Sequence, residues 1–134
     1  MQKLLIISLI LQLIIAFKVS ASTNLNTIKA PKSYDNIHVH ALSSNKHASE
    51  FIIFIKNEVK PHYHENHTEL IFVLEGEGIF FLDDTKQMIR PRDFIRIEEK
   101  QIHSVQVTSN IPLKVLSVQT PEFLGKDRVF VQTQ

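Results

Sequence analysis

The sequence contains no cysteine. That single absence excludes a disulfide framework, a thiolate metal site and a cysteine nucleophile, and it leaves histidine and carboxylate side chains to carry any chemistry. An excess of charge is lacking too. Lys and Arg number 15 against 14 Asp and Glu, and the basic residues are scattered, so the electrostatic footprint of a nucleic-acid partner is missing and none is expected. No apolar run reaches the roughly 20 residues that cross a bilayer. The longest, residues 4–17, is broken by Ser8 and Gln12.

That run follows Lys3 and precedes Lys18-Val19-Ser20-Ala21-Ser22, whose small residues suit cleavage after Ala21. Residues 1–21 therefore read as a cleavable signal peptide. No cysteine follows to carry a lipid, so the expectation is an exported protein, secreted or periplasmic, without a membrane partner after cleavage. Residues 22–33 are rich in Ser, Thr and Asn and broken by Pro31, which predicts a flexible leader. Residues 34–134 remain as one domain of ordinary size, with nine Phe in the chain to help fill its core.

Within that domain, short β-rich runs alternate with polar turns: 50–56, 69–74, 78–82, 87–89, 93–97, 103–107 and 113–118. Such spacing, without a helical period of comparable length, predicts an all-β sandwich or barrel. A jelly roll fits the strand count, and closing the sheet removes exposed edges from a small all-β chain. Gly76 and Gly78 are expected in a tight hairpin and Asp83-Asp84-Thr85 in a second. Pro61 and Pro91 are expected to precede strands rather than sit inside them. Residues 120–125 look like a turn or one short helical turn. Residues 51–55 and 70–74 are apolar at successive positions, so both strand faces should be buried, the outer one against a second sheet or in a homodimer.

The informative stretch is Pro61-His62-Tyr63-His64-Glu65-Asn66-His67-Thr68-Glu69. In an extended strand side chains alternate, so His62 and His64 project to one side while Tyr63 faces the other. A turn over residues 65–68 would bring Glu69 back as an oxygen ligand, so that three ligands come from one hairpin. His103, which starts a strand with Val105 and Val107 on its own face, completes the set. Three imidazoles and a carboxylate suit one divalent ion of Fe, Mn, Ni, Zn or Cu, with open positions for a small-molecule substrate. His67 is read as a solvated loop residue, and His38, His40 and His47 receive no role.

The spacing His62-x-His64, four residues, Glu69, six residues, Gly76 resembles the first signature of the cupin superfamily. The second signature is kept in part. Arg92 stands where a Pro-Gly-Asp turn has its glycine, between Pro91 and Asp93. Glu98 and Lys100 occupy the Pro and Gly positions before His103, Lys56 replaces a glycine, and Val107 an asparagine. The resemblance implies a jelly-roll β-barrel, the cupin double-stranded β-helix, with His62, His64, Glu69 and His103 on the metal. It implies activities that include dioxygenases, sugar isomerases or epimerases, and non-catalytic binding modules. A dioxygenase-like enzyme is the expected function, with Glu69 as a catalytic base when it leaves the metal. Enzymes of sugar phosphates need cations at the barrel mouth, for which Arg90, Arg92, Arg96, Lys100 and Arg128 are the candidates.

Overall fold

The computed structural model describes residues 22–131; the expected signal peptide lies outside them. Two antiparallel five-stranded sheets face one another. The first contains β1 (Ile37–Asn45), β2 (Ala48–Ile55), β4 (Thr68–Glu75), β7 (Phe94–Ile97) and β9 (Leu113–Thr120), in the order β1-β2-β9-β4-β7. The second contains β3 (Glu58–His64), β5 (Gly78–Leu82), β6 (Thr85–Ile89), β8 (His103–Val107) and β10 (Arg128–Phe130), in the order β10-β3-β8-β5-β6. This is the expected all-β jelly roll. The only helical piece among the described residues is a 3-10 turn, Leu25–Thr27.

Alternation along the strands divides inside from outside. On β4 the buried Glu69, Ile71 and Val73 point inward, whereas Phe72 is exposed. On β9 the buried inward row is Leu113, Val115, Ser117 and Gln119. Each inward row is apolar at one end and polar at the other. The apolar ends, with Ile55, Phe80, Ile89, Ile95, Ile97 and Val105, make the core, and the polar ends meet at the opposite end of the barrel. Burial on both faces holds for residues 51–55, but not for 70–74, because Phe72 is exposed on the outer face, where its ring lies tilted against that of its cross-strand partner Phe94, centroids 4.8 Å apart.

Several local expectations are corrected. Residues 76–78 are not a hairpin: β4 belongs to the first sheet and β5 to the second, so the segment crosses between them. Gly76 is needed there for another reason, since its φ is +78° and a Cβ would lie 2.7 Å from the Pro112 carbonyl oxygen. Residues 65–68 likewise turn a corner between β3 and β4, which do not pair. Pro61 sits inside β3, where the β3–β8 register shifts between Val59 and His62, so its missing N–H interrupts no regular ladder. Residues 121–127 form an irregular strap without a helical turn. The leader touches the barrel at Lys114, a residue 1% exposed on the outer face beside Phe54, whose Nζ donates to the Leu25 carbonyl (2.8 Å) and to Glu75 (3.1 Å).

The glycine positions of the second signature keep their backbone shape without glycine. Arg92 has φ +83° and Lys100 φ +65°, both left-handed. The Arg92 N–H donates to the Val73 carbonyl (2.9 Å), and the Lys100 N–H to that of His64 (2.7 Å). The turn before His103 is thereby tied to the end of β3.

Candidate metal centre

His62 and His64 leave the same face of β3, and His103 on β8 is the direct cross-strand partner of His62. All three are buried, and one nitrogen from each lies within 4.8 Å of the others, a spacing one ion can bridge. The orientation of two rings follows from their other nitrogen. His62 Nδ1 donates to the Lys60 carbonyl (2.9 Å) and His103 Nδ1 to the Gln101 carbonyl (3.0 Å), so each keeps its Nε2 lone pair free to face the centre. Neither nitrogen of His64 and no Nε2 of His103 has a hydrogen-bond partner. Buried polar atoms without partners are costly, and a divalent cation is the partner that three converging imidazole lone pairs suit. The donor set therefore fits a metal ion.

Glu69 comes from the other sheet. Its Oε2 lies 3.4 Å from both His64 Nε2 and His103 Nε2. Its Oε1 accepts hydrogen bonds from the Ser117 hydroxyl and from Gln119 Nε2 (3.3 Å). Burial alone would raise its pKa, but the His103 and His64 imidazoles and the Ser117 hydroxyl outweigh burial and hold the carboxyl well below the usual range. Burial, reinforced by the neighbouring His103, pushes His62 down to about 4, so its ring is neutral and ready to ligate.

The structure thus brings His62, His64, Glu69 and His103 together, three from the second sheet and one from the first. It corrects the reading of His67. Far from being solvated, this ring is 6% exposed, with Nδ1 on the Asp127 carboxylate and Nε2 within 2.9 Å of the Glu122 carbonyl. Burial opposes its protonation, but the Glu122 carbonyl and Asp127 together raise its pKa. Asp127 also accepts from the Asn66 N–H (3.0 Å), so the corner and the strap are pinned to each other. Ser117 and Gln119 were not legible as site residues, although they are polar at two successive inward positions of β9. The paired positions on β4 are Ile71 for Ser117 and Glu69 itself for Gln119.

A cavity of about 80 Å³ that opens to solvent is lined by His62, Glu69 and His103, by an apolar wall that includes Ile71 and Val115, and by Val39 and Arg128. Its polar, metal-suited end thus continues into an apolar wall.

Comparison with known proteins agrees with the fold. Residues 46–119 match the family described as Cupin domain. A protein of Aquifex aeolicus described as uncharacterized is 32% identical over 100 residues, 75% of this chain and 82% of that one. Quercetin 2,3-dioxygenase of Bacillus subtilis is 26% identical over 92 residues, 65% of this chain but 27% of that enzyme. Among solved structures, an uncharacterized conserved protein of Klebsiella pneumoniae with a double-stranded beta-helix domain superposes with a TM-score of 0.72 at 14% identity, covering 86% of this chain and all of the other.

Proposed function

Because the chain belongs to the Cupin domain family, we propose that it is a small metalloenzyme of dioxygenase-like type. His62, His64 and His103, with Glu69 as oxygen ligand, hold one divalent ion of Fe, Mn, Ni, Zn or Cu. The observation that carries this reading is the convergence of three buried imidazoles, with both nitrogens of His64 and Nε2 of His103 lacking hydrogen-bond partners. The likeness to quercetin 2,3-dioxygenase supports the dioxygenase class. When bound, the ion supplies Lewis acidity and, if redox-active, electron transfer to oxygen.

The chain's own groups do the remainder. The Lys60 and Gln101 carbonyls fix the ring planes of His62 and His103. Ser117 and Gln119 hold Glu69 Oε1 and leave Oε2 toward the imidazoles. The apolar wall orients an organic substrate and excludes water from its reacting end. With Oε1 occupied by Ser117 and Gln119, Glu69 serves in this proposal as the oxygen ligand through Oε2; the proton shuttle of a sugar isomerase would require it to leave the ion first. Two further parts of the proposal are export directed by residues 1–21 and a homodimer seated on the exposed Phe72 and Phe94.

Elemental analysis of protein purified without chelators or metal-affinity steps tests the reading, beside a His62→Ala/His64→Ala variant. About one equivalent of metal, lost in the variant, is expected. Failure to bind any of the five ions after reconstitution would overturn it. Metal without oxygen consumption across a substrate panel would leave a binding module in place of an enzyme.

A further inference from the structure

Of the five cations that could stand at the barrel mouth, four are accounted for by position. Arg90 pairs with Glu77, Arg96 with Glu98 and Lys100 with Glu65, all on the exposed surface, and Arg92 occupies an exposed turn outside the cavity wall. Arg128 differs. On β10 it is the cross-strand partner of His64, and Phe130 is the partner of His62, so both share the face that the metal-suited histidines present, while Val129 takes the other. Arg128 lines the cavity that holds His62 and His103, and also the adjoining groove with Phe123 and Phe130. No other Lys or Arg contributes to either wall, and among the described residues Arg128 makes no ion pair or side-chain hydrogen bond.

Its lack of a partner has a structural reason. The adjacent acid, Asp127, already accepts from Asn66 and His67 at the corner, and the Glu122 carboxylate accepts from Ser44 (3.2 Å). The strap is thus anchored one residue before Arg128 by an acid that is occupied, and the guanidinium is delivered to the mouth with its donors unspent.

We propose that Arg128 is the anion-recognition residue of this site, and that the ligand is a small monocarboxylate with an apolar body. The carboxylate takes the two parallel N–H bonds of the guanidinium fork, the body lies along Val39, Ile53 and Phe130, and the far end reaches the histidine cluster. A single guanidinium matches one negative charge. A phosphate dianion held at the mouth, away from the histidine cluster, would call for a second cationic side chain or a nest of backbone N–H groups, and neither wall offers another Lys or Arg. This inference rests on the reading of the cavity as a substrate chamber, and its test is kept separate from metal binding.

The probes are butyrate, 4-methylpentanoate and phenylacetate, each beside its primary amide, titrated calorimetrically into wild type, Arg128→Gln and Arg128→Lys, with metal-free and Zn-reconstituted protein. At least one acid is expected to bind wild type about ten- to a hundredfold more tightly than its amide, from charge-assisted hydrogen bonding. Arg128→Gln should remove that preference and Arg128→Lys restore part of it, with Zn affinity unchanged in both variants. Equal binding of acid and amide, an Arg128→Gln variant that binds acids like wild type, or failure of every acid to bind would each overturn the proposal. Failure of Zn to bind, with the acid preference retained in metal-free protein, would defeat the metal reading and leave this one standing.

Discussion

His62 and His103 face each other directly across β3 and β8, with ring centroids 4.1 Å apart. Two imidazoles buried so closely cannot both be charged at low cost, and His62 is the one pushed down to about 4.

That shift makes the metal-free protein acid-sensitive over a defined range. Between a pKa of about 6.5 unfolded and about 4 folded, the unfolded chain binds the extra proton, so stability rises with pH through that window and is lost as pH falls through it, on the order of 3 kcal/mol in all. Glu69, whose pKa is lowered, adds a loss at still lower pH. Urea unfolding of metal-free protein at about pH 7, 5.5 and 4.5 should show His62→Gln losing less stability on acidification than wild type, a difference that cancels the opposite contribution of His67, whose pKa is raised in both proteins. An unchanged slope in the variant would place the sensitivity elsewhere.

Ser117→Ala removes the hydroxyl that holds Glu69 Oε1. Metal affinity, measured by chelator competition, is expected to fall about ten- to a hundredfold, as for other groups that orient a ligand. The three imidazoles remain, so binding should weaken without vanishing.

Arg92→Gly should stabilise the protein. A side chain at φ +83° costs about 1–2 kcal/mol, of which glycine gives back roughly half in its own unfolded-chain entropy. A rise in melting temperature of a few degrees is expected. Lys100→Gly is a less clean comparison because Lys100 also pairs with Glu65 at 3.3 Å.

Asp127→Ala strips Asn66 and the buried His67 of their shared acceptor. A loss of about 1–3 kcal/mol in urea unfolding is expected, together with faster proteolysis within residues 121–127. Retained protease resistance would show that the strap is held by other contacts.

Phe94→Glu tests the proposed homodimer. Placing a charge beside Phe72 on the outer face should shift wild-type dimer to monomer in analytical ultracentrifugation, with the far-ultraviolet spectrum unchanged. A wild-type protein that sediments as a monomer would end that part of the proposal.

What the sequence disclosed and what it withheld divide along a physical line. The runs at 78–82, 103–107 and 113–118 were legible because they combine apolar residues with bounding turns, and His62, His64, Glu69 and His103 because their spacing is local or matches a motif. β1 was not legible: its sequence, Ile37–Asn45, is polar and histidine-rich, and it is held as a strand by pairing with β2 rather than by its own pattern. β10 is a three-residue strand held by β3. His67 was misread because its partner Asp127 lies 60 residues away. The crossings at 65–68 and 76–78 carry turn residues that serve a corner between sheets as well as a hairpin, so local chemistry could not tell which strands they joined.

The site's division between sheets has a mechanical side. His62, His64 and His103 ride on one sheet, and Glu69 with its two supports on the other. An ion held by all four would act as a rivet at one end of the sandwich. A load that peels the sheets apart from that end would be borne by metal–ligand bonds, whereas the opposite end is closed by the crossing at 76–78, by the hydrogen bonds of Val73 with Arg92 and Asp93, and by dispersion contacts among side chains such as Ile89 and Val73. Removing the ion would therefore loosen the sandwich at that end alone and leave the apolar end as tightly closed as before.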